Sequence, residues 1–342
     1  MDSVGLLFKA PCLKIFGYLR QKHRTAMDKK RTYRIKNWSD YNKSLIQRGD
    51  ITLWCSDDAV QSWVLPNEGK RGRPTIYSDE AILCALMIKV VYRLPLRALE
   101  GFLVSLLGLL GVLLPVPSYT QISRRAISLG QIIERLSSKK GITDIVIDSS
   151  GLKVYGEGEW KVRQHGKSKR RTWRKIHLGF CSDSHEVVLS LLTENSVSDG
   201  EVAEKIAENM PPTVRRGYGD GAYDKSSCYK KFQELSIDWI TPPQRGAILH
   251  DLSREPWMEQ RNDAIRAITG LGNDEEARSL WKKLKGYHRR SLAETGIYRF
   301  KTIFGSDLKA RDMRRQRAEV HAKALAMNRM TGLGMPKGVW VS

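Results

Sequence analysis

The chain has 342 residues, which is long enough to bury a real core and predicts two domains rather than one. Its 58 lysines and arginines exceed its 37 aspartates and glutamates, and the net charge of +21 favours a polyanionic partner: DNA, RNA or an anionic membrane. The five cysteines are scattered without a Cys-x-x-Cys pair, so we exclude a disulfide framework and a zinc cluster and expect core thiols in a reducing cytoplasm.

The first 36 residues are basic and show no sustained periodicity. We predict a loosely ordered leader there, and a DNA-seeking arm is the alternative. The apolar run at residues 4–8 is short and is interrupted by Lys9, which argues against a secretory signal. Folded structure is predicted to begin at Asn37, where aromatic and aliphatic residues become frequent.

A short basic loop occupies residues 69–74 and has the sequence Gly-Lys-Arg-Gly-Arg-Pro. Its Arg-Gly-Arg-Pro core resembles an AT-hook, in which arginines enter the narrow minor groove of A·T-rich DNA. Arg71 and Arg73 are therefore candidate DNA contacts. A plain linker explains the same residues equally well.

Helical signals dominate the region that follows. Ser78, with two acidic residues behind it, predicts the start of a helix. A second helical stretch begins near Leu96 and continues into residues 102–114, and the Pro-Val-Pro sequence at 115–117 is expected to stop it. The dense apolar part of this stretch is too short to span a bilayer. We expect a buried helix or helix pair, with a membrane segment as the minor alternative.

The sequence Ser-Tyr-Thr-Gln at 118–121 has the capping-box pattern and predicts another helix, which carries Arg124 and Arg125. A helix, a proline turn and a polar, basic helix are typical of a helix-turn-helix DNA reader, although an ordinary all-helical domain has the same pattern. Because the chain is so basic, we favour a helical DNA-binding domain over residues 37–139.

The hydrophobic period then changes from helical to alternating. A β-branched run predicts a strand over residues 142–148 that ends in Asp148. The further predicted elements are strands 174–181 and 186–192 around a hairpin turn, helix 199–210, strand 214–218 before Asp220, a helix to 235 and strand 236–241. This order indicates an α/β domain with a mixed sheet over residues 140–310, with a polar, irregular insertion at about 244–285. A last helix is predicted within residues 311–342.

Ionisable residues gather on one face of a helix that we predict over residues 287–301. Turned at about 100° per residue, Tyr287, Arg290, Glu294 and Lys301 fall within an arc of roughly 60°. The simplest interpretation is an exposed ion pair between Arg290 and Glu294, which contributes only a few tenths of a kcal/mol.

Two further carboxylates follow predicted strands, and this changes the interpretation of Glu294. Asp148 and Asp220 can each serve as a local turn or helix cap, and Asp224 is predicted to be a helix N-cap. Carboxylates at neighbouring strand ends can also converge, and three of them in a very basic protein indicate a divalent-metal site that acts on nucleic acid. Mg²⁺ suits ligation by carboxylates alone better than zinc does.

Three stretches carry a resemblance to a known family: residues 146–153, residues 220–224 and the Tyr-x₂-Arg-x₃-Glu-x₆-Lys pattern of residues 287–301. In these the chain resembles bacterial insertion-sequence DDE transposases, above all the insertion-sequence five branch. The resemblance runs from about residue 37 to residue 342. It implies a ribonuclease-H-like mixed-sheet catalytic core with a small insertion, preceded by the helical DNA-binding domain.

The resemblance also implies roles for individual residues. Asp148, Asp220 and Glu294 are expected to bind two Mg²⁺ (or Mn²⁺) ions and to carry catalysis. The residues expected beside the bound DNA end are Tyr287, Arg290 and Lys301, and a basic run expected to meet DNA contains Lys161, Arg163, His165 and Lys167. Related transposases place a base-stacking aromatic residue between the second aspartate and the glutamate, where this chain has Trp257 and Trp281.

The activity implied by the resemblance is binding of an element's terminal inverted repeats, followed by metal-dependent DNA cleavage and strand transfer. The expected partners are double-stranded DNA, as repeat ends and target, and a second copy of the chain in a homodimer on paired ends. A membrane partner is not expected, and the expected location is the bacterial cytoplasm, on the nucleoid. Two alternatives stay open: a catalytically inactive or domesticated DNA-binding protein, and a ribonuclease or repair nuclease with the same core.

Overall fold

The computed structural model of the chain describes residues 32–55, 57–66, 76–132, 141–154 and 173–341. The predictions made for the AT-hook-like loop and for the basic run lie outside the described residues. They concern Arg71, Arg73, Lys161, Arg163, His165 and Lys167.

The N-terminal part of the described chain is helical. Its helices are α1 (Trp38–Gln47), α2 (Asp57–Gln61), α3 (Asp79–Val91), α4 (Leu96–Leu109) and α5 (Tyr119–Ile132), with a 3₁₀ turn at Ile51–Trp54. The sequence signals for two starts are confirmed: the Ser78 hydroxyl accepts from the Ala81 amide at the start of α3. At α5 the Ser118 amide donates to the Gln121 side chain at 3.0 Å, which is one half of a capping box.

The apolar run in α4 is only partly buried. Leu99 and Leu103 are fully buried, whereas Leu109 is 87% exposed and Leu113 is fully exposed. The helix also ends before the prolines, because Gly111 adopts a left-handed conformation with φ 67° that terminates it. Among the helices that the structure describes, none combines the length and the apolarity that a membrane crossing requires.

A mixed sheet forms the centre of the second half of the chain. Its strands are β2 (Asp144–Val154), β3 (Trp173–Cys181), β4 (Val187–Glu194), β5 (Arg216–Tyr218), β6 (Asp238–Ile240) and β7 (Asp307–Leu308), in the order β4-β3-β2-β5-β6, with β7 pairing β2. Strands β2, β3 and β4 are antiparallel neighbours, whereas β5 and β6 run parallel to β2. The hairpin turn predicted between β3 and β4 is confirmed, and it contains Asp183.

The central strand β2 has apolar layers on both faces. Ile145 and Ile147 belong to one hydrophobic cluster, whereas Val146 belongs to the other. Because successive side chains of a strand point to opposite faces, Asp148 lies on the same face as Val146. That face is covered by α10 (Ser291–Phe304), which packs against β2 and β3.

The prediction that residues 244–285 are irregular is wrong. They contain a 3₁₀ turn (Pro256–Met258) and two helices, α8 (Glu259–Gly270) and α9 (Glu275–Leu284). Each helix buries a narrow apolar stripe, Ala264 with Ile268 in α8 and Ala277 with Trp281 in α9. Helix α8 buries only two apolar residues, too few to stand out in the sequence, whereas α9 has local signals that the prediction missed: an aspartate N-cap, two glutamates in the first turn and two lysines in the last.

The remaining elements are α6 (Asp199–Glu208) and α7 (Ser226–Glu234), which pack together, and α11 (Met313–Leu333), a long helix between the two halves of the chain. Helix α11 contacts α3 and α5 on one side and β4 on another. Strand β1 (Thr32–Ile35) pairs antiparallel with β8 (Gly338–Val341), so the end of the predicted leader lies beside the C-terminal tail.

Stability is expected to fall with acid because of His321 in α11. Its side chain is 3% exposed, neither ring nitrogen has a hydrogen-bond partner in the described part of the chain, and burial lowers its pKa to about 4. The unfolded chain, with an ordinary histidine pKa near 6.5, binds this proton first, so the free energy of unfolding drops as the pH falls from about 6.5 to about 4, by roughly 3 kcal/mol.

Urea unfolding of the unmodified chain and of His321→Met at pH 7 and pH 4.5 checks this expectation. The methionine variant lacks the titrating group, so its stability should depend less on pH than that of the unmodified chain. An identical pH dependence in both proteins would contradict the assignment to His321.

Candidate active site

The register of two parallel strands brings Asp148 and Asp220 to neighbouring positions. Asp144 of β2 lies opposite Arg216 of β5. Asp148 follows Asp144 by four residues, and Asp220 follows Arg216 by four residues. The parallel pairing ends at Tyr218, after which β5 stops while β2 continues along β3 as far as Lys153. Both carboxylates therefore stand where the sheet opens beyond β5.

The prediction that Asp148 ends a strand is wrong, because β2 extends six residues beyond it. The extra residues are held by antiparallel pairing with β3, in which Asp148 lies opposite Leu178. A pairing partner thirty residues away leaves no local signal, so the Ser-Ser-Gly sequence after the aspartate looks like a turn. Asp148 is instead placed on a rigid internal strand position.

Asp220 follows a strand that is packed unusually closely. A Cβ atom added at Gly217 or Gly219 would come within 2.6 Å of the Trp239 ring of β6, so only glycine fits at either position. Asp220 then caps the short turn that follows, accepting from the Ala222 amide at 2.9 Å through Oδ1. Its second oxygen, Oδ2, lies on the side of Arg290.

One arginine brings the three predicted acids together. The Arg290 Nη2 atom lies 3.4 Å from Asp148 Oδ1 and 3.8 Å from Asp220 Oδ2, while Nη1 binds Glu294 Oε1. The Arg290 side chain is 18% exposed, whereas that of Glu294 is 60% exposed at the rim. Carboxylates from β2, from the turn after β5 and from α10 thus surround a single positive charge. The simple Arg290–Glu294 ion pair is present, but it is one of three.

The electrostatics of the cluster follow from this crowding. Burial raises the pKa of Asp148, and the negative charges of Asp220 and Glu294 add to that effect, whereas Arg290 and the Ser149 amide oppose it. Burial disfavours the charge on Arg290, yet the surrounding carboxylates outweigh it and raise the pKa of the guanidinium. The positive charge of Arg290 therefore favours the ionised form of Asp148 against burial and the neighbouring acids.

Tyr287 is held at the site by a hydrogen bond to the backbone of Gly219, and it lies outside the α-helix that carries Glu294. Residues Tyr287–Arg290 form a 3₁₀ turn, and the α-helix begins only at Ser291, so the prediction of one continuous helix is wrong. The Tyr287 hydroxyl donates to the carbonyl of Gly219 at 3.1 Å, beside Asp220. Burial raises the pKa of Tyr287 to about 12, so the hydroxyl stays protonated. Lys301 lies about two turns beyond Glu294 on α10.

The donor set fits a hard divalent cation. Carboxylate oxygens are the ligands that Mg²⁺ and Mn²⁺ prefer, and the three acids already hold the positive charge of Arg290 between them. Among the described residues, no three His, Cys, Asp or Glu side chains stand close enough to form a metal-holding group as they are placed here. The Arg290 guanidinium separates the three carboxylates and would have to withdraw for a metal ion to enter.

Comparison with known families decides the class of the protein. Two family models described as "Transposase DDE domain" match residues 46–157 and residues 139–329, the latter covering more than half of the chain. The chain belongs to the DDE transposases. The match over residues 46–157 favours the insertion-sequence five branch of the family.

Individual relatives of this DDE transposase are distant. It is 25% identical over 216 residues to an uncharacterized protein of Aquifex aeolicus (strain VF5), a match that covers 58% of the chain and 64% of that protein. Among solved structures, a piggyBac transposase synaptic complex with hairpin DNA has a TM-score of 0.27 at 10% identity, covering 84% of this chain and 80% of that one. A Drosophila P element transposase strand transfer complex has a TM-score of 0.26 at 10% identity, with coverages of 78% and 81%. TM-scores this low are no evidence for a shared fold.

The pair α4 and α5, where the sequence predicts a helix-turn-helix, departs from the compact form of that motif. The link between α4 and α5 is nine residues long, whereas a helix-turn-helix has a turn of about three or four. Arg124 is exposed, but Arg125 binds Asp79 and donates to the Tyr77 carbonyl at 2.8 Å. The Arg125 guanidinium is therefore occupied within the domain.

The two candidate base-stacking tryptophans, Trp257 and Trp281, both take part in packing. Trp281 is 4% exposed in the hydrophobic core, which leaves no face for a base. Trp257 is half-buried; its indole nitrogen donates to the Ser226 hydroxyl at 2.8 Å, and Lys230 lies 5.0 Å from its ring centre. Of the pair, Trp257 alone retains an exposed part.

Sequence reasoning misassigned Asp224. It does not cap α7, whose N-cap is Lys225; its buried carboxylate binds Arg261 of α8 at 2.8 and 3.3 Å. It also accepts from the Tyr229 hydroxyl and the Gln244 amide. This ion pair fastens the helical insertion to the turn that carries Asp220. Its partners lie 37 residues apart, and an aspartate just before a helix looks like a cap.

Proposed function

We propose that this transposase binds the terminal inverted repeats of its own insertion sequence and catalyses metal-dependent DNA cleavage and strand transfer. The observation that carries the proposal is the convergence of Asp148, Asp220 and Glu294 on one cation position. The strand order, with an antiparallel meander followed by parallel strands, supports a ribonuclease-H-like core. A homodimer on paired ends is part of the proposal, since two ends must be joined.

The three carboxylates would hold two Mg²⁺ (or Mn²⁺) ions, which when bound activate a water or a 3′-hydroxyl and stabilise the leaving oxygen. Arg290 is released from the acids and binds a backbone phosphate near the scissile bond with its forked donors. Lys301 adds a point charge for the same DNA end. The Tyr287 hydroxyl donates to the Gly219 carbonyl and so keeps the Asp220 turn in place.

Sequence-specific binding is assigned to the helical part at residues 37–139. Exposed Arg124 on α5 is the described candidate contact, and Arg125 contributes by holding α5 to the start of α3. The basic positions Arg71, Arg73, Lys161, Arg163, His165 and Lys167 complete the proposed DNA contacts. The net charge of +21 favours such a partner.

The test uses the purified full chain and duplexes taken from the DNA flanking its gene. We expect cleavage at the inverted-repeat end in Mg²⁺ or Mn²⁺, no cleavage in EDTA, and little cleavage of a duplex with a shuffled end. Binding of the repeat without cleavage would favour an inactive DNA-binding protein. Equal cleavage of repeat and shuffled duplexes would favour a nuclease of another kind, and either result overturns the proposal.

A further inference from the structure

A second cluster of ion pairs, called the ionic junction below, consists of Asp144, Arg216 and Arg289. Its centre is the carboxylate of Asp144. This side chain is only 1% exposed. Its Oδ1 accepts from Nε of Arg216 at 2.9 Å, and its Oδ2 accepts from Nη1 of Arg289 at 2.5 Å. A buried carboxylate is stable only when its charge is compensated, and here each oxygen of Asp144 has its own arginine.

The three residues of this junction lie on the same three segments that carry the predicted metal ligands. Asp144 precedes Asp148 by four residues on β2, and Arg216 precedes Asp220 by four residues across the end of β5. Four residues of extended chain span about 13 Å. The third member, Arg289, precedes Glu294 by five residues at the entrance to α10. Each segment is therefore fixed at one end by the junction and presents an acid at the other.

The two strands do not need the junction to align, because backbone hydrogen bonds already pair Asp144 with Arg216. The segment leading into α10 is different, since it belongs to no strand of the sheet. Gly296 of α10 packs so closely on Phe180 that an added Cβ would clash with the ring, which sets the distance between helix and sheet. Apolar contact of this kind is non-directional and does not set how far the helix slides or rotates.

Directional contacts come from Tyr287, which donates to Gly219, from Arg290, which pairs with Asp148 and Asp220, and from Arg289, which reaches the opposite end of β2. Besides Asp144, Nη1 of Arg289 donates to the Ser182 hydroxyl at 3.2 Å and lies 3.8 Å from Asp183, both in the turn between β3 and β4. The Ser182 amide in turn donates to the backbone carbonyl of Asp144 at 3.2 Å. Arg289 is thus fixed against the start of β2 and the β3–β4 turn together.

We infer that Arg289, anchored by Asp144, is a positioning residue that holds Glu294 facing the position it shares with Asp148 and Asp220, so that the three can bind a divalent ion once Arg290 withdraws. The inference rests on the proposed function, because it assigns a purpose to the geometry of the same acids. It concerns residues outside the proposed set of metal ligands. Arg289 acts through the backbone of the turn and through Asp144.

Charge alone predicts the opposite effect, and this makes the inference testable. Arg289 is a cation near three carboxylates, so removing it should by Coulomb's law tighten the binding of a divalent ion. If it positions Glu294, removing it should weaken that binding by about tenfold or more, the range seen when residues that orient metal ligands are lost. The sign of the change therefore separates the two roles.

The experiment measures Mn²⁺ binding to the DNA-free full chain by electron paramagnetic resonance, at a temperature well below unfolding. Arg289→Gln is the decisive variant, since Asp144→Asn removes the buried carboxylate that two arginines share and can unfold the chain. Arg289→Lys, which keeps a donor for Asp144, is expected to regain most of the affinity. The control is Arg245→Gln, which removes an arginine that is 83% exposed and paired with Glu275 on the surface; its affinity should match the unmodified chain.

Weaker Mn²⁺ binding by Arg289→Gln, with rescue by lysine and an unchanged circular dichroism spectrum, supports the inference. Equal or tighter binding overturns it, even if the melting temperature falls, because the residue would then be structural only. If the unmodified chain binds no Mn²⁺ and cleaves no DNA, the proposed function itself fails and the inference falls with it. Cleavage by the unmodified chain together with unaltered Mn²⁺ affinity in Arg289→Gln removes the inference alone.

Discussion

The Asp148→Asn variant is expected to cleave end DNA at least about 10³-fold more slowly than the unmodified chain, since roughly 4 kcal/mol of lost transition-state stabilisation corresponds to that factor. Asp220→Asn and Glu294→Gln should behave alike. The amide keeps the shape of each side chain but loses the charge that the proposed metal binding requires. Binding of end DNA should be largely spared, because removing a negative charge does not weaken attraction to a polyanion. Single-turnover cleavage and a mobility-shift assay measure the two quantities separately.

Exposed acids elsewhere on the chain provide matched controls for these variants. Asp263→Asn changes an aspartate that is 66% exposed and pairs with Arg266, and Glu275→Gln changes a glutamate that is 68% exposed. Both should cleave at the rate of the unmodified chain. A cluster variant that keeps substantial Mg²⁺-dependent cleavage would remove its residue from the catalytic set.

The convergence of the acids is accessible to sequence reasoning because its signals are local. The strand before Asp148 and the strand before Asp220 can each be recognised from a few consecutive residues. Parallel pairing then brings the positions after them close together. The helical spacing of Arg290 and Glu294 is local in the same way. What the sequence does not show is that Arg290 lies at the centre of all three acids, because that depends on how α10 docks on the sheet.

The parts that escaped prediction depend on contacts between distant positions. Asp144 meets Arg216 and Arg289 across 72 and 145 residues, and nothing near any of them marks a partner. The length of β2 is set by its pairing with β3 rather than by its own composition. Helix α8 buries only two apolar residues among polar ones, so its buried stripe becomes visible only in the packed structure.

The Arg261→Met variant is expected to lose about 3–5 kcal/mol in the free energy of unfolding, the range for removing one partner of a buried ion pair. The carboxylate of Asp224 is 1% exposed and the guanidinium of Arg261 is 9% exposed, so water cannot replace the lost partner. The Tyr229 hydroxyl and the backbone N–H of Gln244 still donate to Asp224, but neither carries a positive charge. Urea unfolding followed by tryptophan fluorescence measures the loss.

A matched arginine lies on the same helix. Arg266 of α8 is 52% exposed and pairs with exposed Asp263, so Arg266→Met should change the stability by less than about 0.5 kcal/mol. Adding Asp224→Asn to Arg261→Met removes the uncompensated charge and should recover part of the loss.

Because Asp224 lies four residues after Asp220, the destabilised Arg261→Met chain should also bind Mn²⁺ more weakly than the Arg266→Met chain. An Arg261→Met protein within about 1 kcal/mol of the unmodified chain would show that the helical insertion is held by its apolar stripe, and that the ion pair adds little to it.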